Sequence, residues 1–225
     1  MKHPGAEIFP ASALALARDI DLLILDVDGV LTDGRIYYAD SSGLSQGFRG
    51  STPPATGETP ALPYASAVGE TPPAEGSGEQ GGEIKAFHAQ DGAAIKMLQA
   101  AGIPVAVITG RSSGATARRV SELGIAHVYQ GVEDKTAALG TLCSESGIMA
   151  ERMAHAGDDI PDLALFDRVG MRLSVPRAHP EVAARADYVT AASGGAGAVR
   201  EICHLILIAK GLWESALTEA GAWPR

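Results

Sequence analysis

One stretch near the start of the chain, residues 22–34, constrains the fold more than any other. It opens with four large apolar residues, Leu22 to Leu25, which predict a strand buried on both faces, as in a parallel sheet. Asp26 and Asp28 follow at the carboxyl end of this strand, where open α/β sheets bind their ligands. If the chain stays extended up to Gly29, both side chains point to one face. Two neighbouring carboxylates repel each other, so the pattern favours a divalent cation such as Mg²⁺ between them. A plainer interpretation, a strand end followed by a solvated acidic turn, stays open on these residues alone.

Composition narrows the possible partners. The 225 residues suit one domain with a real core, and the net charge of −9 leaves no basic excess for nucleic acid or an anionic membrane. Cys143 and Cys203 fit no metal spacing and are expected to be reduced and buried. The apolar runs at 11–17 and 205–209 are too short for a secretory signal or a membrane span. We therefore expect a soluble, cytoplasmic protein with a small-molecule partner.

A change of composition interrupts the chain between residues 41 and 82. This segment holds nine glycines and six prolines and repeats the sequence Thr-Pro-Pro-Ala. It has too little apolar surface to offset the entropy of ordering it, so we predict a disordered insertion. Residues 35–38 and 83–88 on either side are predicted strands, which could pair as a hairpin carrying the insertion at its tip.

Strand and helix patterns alternate along the rest of the chain. Buried strands are predicted after the first one at 104–108, 126–129, 153–156, 172–175 and 188–190, and helices at 91–101, 113–123, 135–146 and 198–210. This order predicts one α/β domain over residues 1–225, a doubly wound parallel sheet.

Polar residues stand where these elements meet. Thr109 follows a strand, Lys135 opens a helix, and Asp158 and Asp159 precede another helix, so all should converge with Asp26 and Asp28 on one sheet edge. Three carboxylates could hold Mg²⁺, while Thr109 and Lys135 could bind a phosphate. Asp26 is then the better nucleophile, through an aspartyl-phosphate, and Asp28 the general acid and base.

These residues carry a resemblance. Asp26-Val27-Asp28-Gly29-Val30-Leu31-Thr32-Asp33-Gly34, Ile108-Thr109-Gly110-Arg111, Lys135 and Gly157-Asp158-Asp159 resemble the four motifs of haloacid dehalogenase-type phosphatases. Within them the chain is similar to the family that hydrolyses 3-deoxy-D-manno-octulosonate 8-phosphate, a precursor of the lipopolysaccharide core. The resemblance spans residues 20–40 and 83–212.

The resemblance implies a role for each matched residue. Asp26 would be the nucleophile and Asp28 the acid/base, with Thr109 and Lys135 holding the phosphoryl group. The implied ligands of Mg²⁺ are Asp26, Asp158 and the backbone carbonyl of Asp28, with Asp159 in support. Gly110, Arg111 and Arg200 are the expected contacts to the sugar-acid phosphate, since arginine suits bidentate recognition of an anion. Family members are homotetramers without a large cap domain, with a β-hairpin flap that helps to close a neighbour's site.

Several alternatives remain at this stage. The preferred substrate could be a related sugar acid, such as a nonulosonate 9-phosphate, because His88-Ala89-Gln90 stands where family members vary. A catalytically silent binding or scaffold protein is the alternative of another class. His155 is expected to be a core histidine, and His88 packs in the hairpin or contacts substrate. Asp162 supports the metal loop or complements the start of a helix.

Overall fold

The computed structural model describes residues 8–38, 83–219 and 221 of the chain. The chain forms two compact units. One is made of Met1–Ile36 together with Lys85–Arg225, and the other is made of Tyr37–Ile84.

The larger unit is built on a six-stranded parallel sheet. Its strands are β1 (Leu22–Leu25), β4 (Val105–Ile108), β5 (His127–Tyr129), β6 (Met153–Ala156), β7 (Met171–Ser174) and β8 (Tyr188–Val189), in the order β5-β4-β1-β6-β7-β8. Strand β1 lies at the centre, where Leu23 pairs with Val105 on one side and Ala154 on the other. Its apolar run is therefore buried between neighbours and between layers, as a parallel sheet requires.

Helices cover both faces of this sheet. They are α1 (Ala11–Ala17), α2 (Ala89–Ala100), α3 (Gly114–Glu122), α4 (Lys135–Ser146), α5 (Leu163–Phe166), α6 (Pro180–Ala183), α7 (Ala198–Ala209) and α8 (Trp213–Glu219), with short 3-10 turns at Ala150–Arg152 and Ile160–Asp162. Leu23 and Leu25 point into a core shared with α1, α2 and α7, whereas Leu22 and Ile24 point into one shared with α4 and α5. The alternation of side chains along β1 thus supplies both layers, and the predicted doubly wound α/β fold is confirmed.

Three predicted elements match the structure at both ends. The structure places β1, β6 and α4 at their predicted bounds, and the other predicted strands and helices of the sheet unit differ by at most two residues at either end. These segments are recognisable because each is buried by the sheet or by an amphipathic face.

The path after β1 corrects one prediction. The strand ends at Leu25, and residues Val27–Leu31 form a helical turn in which Asp28 and Gly29 depart from helical dihedrals. Thr32 closes this turn, since its backbone N–H and its hydroxyl both donate to the carbonyl of Val27, at 2.9 and 3.2 Å. Asp26 and Asp28 are therefore not neighbours on one extended strand, and the prediction that extended backbone aligns them was wrong.

The smaller unit contributes two short strands to the described residues. Strands β2 (Tyr37–Tyr38) and β3 (Glu83–Ile84) are antiparallel, with Tyr37 opposite Ile84 and Tyr38 opposite Glu83. The predicted hairpin pairing is confirmed, although both strands are shorter than expected. The insertion at 41–82 lies outside the described residues, and its disorder stays a prediction.

The chain continues after α7 in a further helix that the sequence did not predict. Trp213–Glu219 form helix α8, and the ring centroid of Trp213 lies 4.1 Å from that of His204 on α7. Trp223 is outside the described residues. Cys143 and Cys203 are free thiols, with Cys203 buried and Cys143 half-buried. Over the described part of the chain, none of the helices combines the length and apolar character needed to cross a bilayer.

Candidate active site

A cavity of about 450 Å³ opens at the carboxyl edge of the sheet. It is lined by residues from four loops, namely Asp26, Asp28, Thr109, Gly110, Arg111, Val132, Glu133, Asp134, Lys135, Asp158, Asp159, Pro161, Asp162 and Ala164. The four clusters predicted to converge therefore do line one cavity. They meet because β1, β4 and β6 are adjacent and parallel, so that their carboxyl ends share an edge.

Asp26 forms the floor of this cavity together with Lys135. The ammonium of Lys135 donates to Asp26 Oδ1 at 2.7 Å, and both side chains are more than nine-tenths buried. Lys135 is aimed inward because Asp134 caps α4, accepting hydrogen bonds from the backbone N–H groups of Thr136 and Ala137. One carboxylate oxygen of Asp26 is thus held, and the other is not engaged by that ammonium.

Asp162 organises the same floor from the other side. Its Oδ1 accepts from Lys135 Nζ at 2.7 Å and lies 2.9 Å from His155 Nε2. Its Oδ2 accepts the backbone N–H groups of Asp158 at 3.0 Å and Asp159 at 3.1 Å. A single buried carboxylate therefore positions the lysine and the loop that carries two further carboxylates.

Burial and mutual repulsion shift the acidity of this cluster. Burial, with the charge of Asp162 added, raises the pKa of Asp26 to about 6 despite the opposing effect of Lys135. Burial and the charges of Asp26 and Asp162 raise the pKa of Asp158 to about 7. Burial acts to raise the pKa of Asp162 too, but hydrogen bonds and charge from His155 and Lys135 outweigh this and lower it. Burial acts to lower the pKa of Lys135, and the two carboxylates reverse this and raise it.

Asp28 stands across the cavity with cations around it. Its Oδ1 accepts from the buried ammonium of Lys85, and Arg111 Nε lies 3.6 Å from its Oδ2. Oδ2 is buried and accepts no hydrogen bond within the described residues. Lys85 therefore holds one oxygen of this carboxylate, and Arg111 is the cation beside the other.

Thr109 and Gly110 line the cavity at the end of β4. Thr109 is buried, and its backbone joins two loops, donating to the carbonyl of Tyr129 at 2.9 Å and accepting from Val132 at 3.1 Å. Such a threonine next to Lys135 can hold the oxygens of a phosphate.

Gly29 allows the turn after β1 to approach Asp158 closely. Its φ of +97° is in the left-handed region, and a Cβ there would lie 2.0 Å from Asp158 Oδ2. A side chain would push this carboxylate away from the cavity, so the glycine is required for the acidic cluster to form.

The carboxylates of Asp26, Asp158 and Asp162 fit a divalent cation. Each offers an oxygen within 4.8 Å of the others. Hard oxygen donors are the ligands that Mg²⁺ prefers, and a cation would relieve the repulsion that raises two of the three pKa values. The side chain of Asp28 is not a member of this group, and Asp159 is exposed, capping the turn through a 2.8 Å bond from the N–H of Ile160.

Other residues singled out in the sequence lie elsewhere. Arg200 does not line this cavity: its side chain borders a separate one of about 280 Å³ beside Trp213, and its N–H donates to Asp91. His155 is fully buried in β6, as expected for a core histidine, but it also contacts Asp162. His88 precedes α2, with a buried Nδ1 that has no hydrogen-bond partner in the described chain.

Two contributors were missed or left open by sequence reasoning. For Asp162 the sequence left two roles open, support of the metal loop and charge at a helix start, although its position three residues after Asp159 is the spacing of a capping box, which the structure contains. Lys85 carried no assigned role, and no local pattern could have found it, because its partner Asp28 is 57 positions away in the chain.

Comparison with known proteins agrees with this geometry. The model of a haloacid dehalogenase-like hydrolase family matches residues 120–202. The 3-deoxy-D-manno-octulosonate 8-phosphate phosphatase KdsC of Escherichia coli K12 is 37% identical over 206 residues, which are 92% of this chain and 89% of that protein.

Solved structures give the same result. The 3-deoxy-D-manno-octulosonate 8-phosphate phosphatase of Moraxella catarrhalis, in complex with magnesium ion, phosphate ion and KDO, is 34% identical with a TM-score of 0.73, covering 97% of this chain and 99% of that one. The phosphatase of the same name from Yersinia pestis is 36% identical with a TM-score of 0.71, covering 91% and 89%.

The parallel sheet and its acidic edge define a haloacid dehalogenase-like phosphatase, a phosphoric monoester hydrolase. Within that class, the chain belongs to the family of 3-deoxy-D-manno-octulosonate 8-phosphate phosphatases.

Proposed function

We propose that this chain hydrolyses 3-deoxy-D-manno-octulosonate 8-phosphate to the free sugar acid and phosphate, with Mg²⁺, in the cytoplasm. The observation that carries the proposal is the placement of Asp26, Asp28 and Lys135 around one cavity beside a three-carboxylate cluster. The product would serve as a precursor of the lipopolysaccharide core. We propose that the protein assembles as a homotetramer, because the family that its motifs resemble forms homotetramers.

Asp26 is the nucleophile in this proposal. A carboxylate oxygen of Asp26 forms a bond to phosphorus while the bond from phosphorus to the sugar oxygen breaks, giving an aspartyl-phosphate. Lys135 holds Asp26 Oδ1 at 2.7 Å, which fixes the orientation of the carboxylate and keeps positive charge next to the phosphoryl oxygens. Burial of both groups excludes water from the nucleophile.

Asp28 moves the proton in both half-reactions. It gives a proton to the departing sugar oxygen, and it later takes one from the water that attacks the aspartyl-phosphate, which releases phosphate and restores Asp26. Its unbonded Oδ2 is suited to this exchange, while Lys85 on Oδ1 limits the rotation of the carboxylate.

The acidic cluster would hold the metal. Asp26 and Asp158, with Asp162 beside them, would bind Mg²⁺, which neutralises charge on the phosphoryl oxygens when bound. Thr109 and Gly110 would hold the phosphoryl group at the end of β4, and Arg111, 3.6 Å from Asp28, is placed to contact the substrate's anionic groups.

The test is phosphate release from a panel of sugar phosphates, with Mg²⁺ and with a chelator. We expect turnover of the eight-carbon acid phosphate that the chelator abolishes. Asp26→Asn should lower kcat by at least about 10³-fold, because an amide cannot form the covalent intermediate. Asp19→Asn, an exposed carboxyl remote from the cavity, is the matched control and should keep full activity.

Each other outcome has a definite meaning. Preference for a nine-carbon acid phosphate would keep the mechanism and change the substrate. No turnover of any panel member by folded, Mg²⁺-supplied protein would overturn the proposal in favour of a binding protein.

A further inference from the structure

A second cavity, of about 370 Å³, adjoins the catalytic one. Asp158 lines both, so the two cavities share this carboxylate as a wall. The other walls are the turn at Gly29–Gly34, the loop at Ser193–Ala196 and the side chain of Arg177.

At residues 193–196, the wall of this cavity is loop backbone that packs against the backbone of Gly29 and Val30. The N–H of Gly195 donates to the carbonyl of Val30 at 3.1 Å, and a Cβ on Gly194 would lie 1.7 Å from the carbonyl oxygen of Gly29. This close approach fixes the loop against the same turn that carries Asp28. The second cavity therefore has a defined position relative to the reacting groups.

The cations around the catalytic cavity are already engaged by carboxylates. Lys135 is bound to Asp26 and Asp162, and Lys85 is bound to Asp28. Arg111 lies 3.6 Å from Asp28 as well. In the proposed function Arg111 serves the phosphate end of the substrate, so an anionic group at the far end of the substrate needs a further cation.

Arg177 meets that need. Its side chain is exposed, and it makes no ion pair or hydrogen bond within the described residues. The turn that carries it is anchored, because the N–H of His179 donates to the carbonyl of Asp158 at 2.7 Å and that of Ala178 to Val175 at 3.1 Å. Because the turn is anchored, a carboxylate that pairs with this guanidinium has to order the side chain of Arg177 and not its backbone.

The remaining polar groups of the cavity suit hydroxyls. Asp33 accepts from the N–H of Arg35 at 3.0 Å and lies 3.6 Å from its guanidinium, which reduces its repulsion of an anion. Carboxylate and backbone oxygens accept hydrogen bonds from a polyol, and Arg177 is the sole cation among the residues that line the cavity.

We propose that this second cavity binds the sugar-acid end of the substrate, with Arg177 pairing to its carboxylate. This assignment rests on the proposed function and makes it more specific, because it names the residue that receives the carboxylate of the substrate. The phosphate lies at Asp26 in the first cavity, and the acid lies beyond Asp158 in the second.

The test is calorimetric binding of free 3-deoxy-D-manno-octulosonate in the presence of Mg²⁺. We expect Arg177→Gln to raise the dissociation constant by about 10-fold or more, as for loss of a charge-assisted pair, and Arg177→Lys to restore part of the affinity. Arg168→Gln, another exposed arginine but outside both cavities, is the matched control and should bind as the wild type does.

Turnover separates this inference from the function it rests on. Arg177→Gln should raise KM for the acid phosphate by about 10-fold or more, whereas the control Arg168→Gln should leave both kcat and KM unchanged. Equal binding of the free acid by wild type and Arg177→Gln, or no binding by wild type, overturns the inference even if phosphate is released. Arg177-dependent binding without any turnover of the acid phosphate overturns the proposed function alone.

Discussion

At the scale of single residues, the site depends on Asp162 as much as on the nucleophile. This carboxylate receives Lys135 and His155 on one oxygen and two backbone N–H groups on the other. It is 1% exposed, so water cannot replace these partners. The geometry makes Asp162 a positioning residue for Lys135 and for the loop that carries Asp158.

Asp162→Asn should therefore reduce both stability and activity. Removing one partner of a buried ion pair leaves the other charge poorly compensated, which costs about 3 kcal/mol of unfolding free energy. Displacement of Lys135 and Asp158 should lower kcat by about 10²-fold or more. Urea unfolding and steady-state kinetics with Mg²⁺ measure the two effects.

The matched control for that variant is Asp167→Asn. Asp167 is exposed and follows α5 only five positions later, so its free energy of unfolding should change by less than about 0.5 kcal/mol. An Asp162→Asn protein as stable and as active as this control would show that the buried network has no part in holding the site.

Some residues of the site could be identified from the sequence, and others could not. Asp26, Asp28, Thr109, Lys135 and Asp158 stand at strand or helix ends and could be singled out from local pattern. Lys85 and the His155 contact to Asp162 could not, because each joins positions whose meeting depends on the folded chain.

At the scale of elements, the turn after β1 and the loop at Ser193–Ala196 act together. Gly194 lies against the carbonyl of Gly29 so closely that no side chain fits between them. The helical turn at Val27–Leu31 is thus supported from outside by this loop as well as from within by Thr32. The position of Asp28 depends on both supports.

Gly194→Ala should disturb this contact. Its methyl group would meet the Gly29 carbonyl at 1.7 Å, so one of the two segments must move, and overpacking of this kind costs about 1–3 kcal/mol. We expect a lower unfolding midpoint in urea and a lower kcat from the displaced Asp28.

Gly140→Ala is the opposite case on the same molecule. Gly140 lies in the exposed middle of α4 with open space around its Cα, so alanine should raise stability by about 0.5–1 kcal/mol through helix propensity. Equal effects of the two substitutions would contradict the close approach seen at Gly194.

Element boundaries were predictable where burial produced a strong pattern. The four-residue apolar run of β1, the buried strand β6 and the capped start of α4 match their predicted bounds. The departure at Asp26–Asp28 and the helix at Trp213–Glu219 were not predicted. The first is a turn closed locally by the Thr32 hydroxyl on the carbonyl of Val27, and the second packs Trp213 against His204 of another helix.

At the scale of the whole molecule, the catalytic cavity is contained in one unit. All of its lining residues belong to Met1–Ile36 and Lys85–Arg225. The described ends of the other unit, Tyr38 and Glu83, are paired residues, so a two-residue turn could join them.

Replacing residues 39–82 by Asn-Gly should therefore leave a folded enzyme. Shortening a loop lowers the entropic cost of closing it, so the urea midpoint should be equal or higher. Mg²⁺-dependent hydrolysis of a small phosphate ester should persist. Sedimentation of both proteins tests whether the proposed tetramer forms without the insertion. The control is a protein that carries residues 39–82 in shuffled order. Loss of folding in the Asn-Gly variant would contradict this prediction.

The sequence by itself determined the class of fold and the chemistry at the sheet edge. Apolar runs and helix caps are local, and parallel strands bring their carboxyl ends together, so Asp26, Thr109, Lys135 and Asp158 could be expected to meet. Only the tertiary structure decided that Asp162 links Lys135 to His155, that Lys85 holds Asp28, and that Arg177 faces a second cavity beside Asp158. The reason is physical: these contacts join residues distant in the chain, and their geometry depends on how layers and loops pack rather than on any local period.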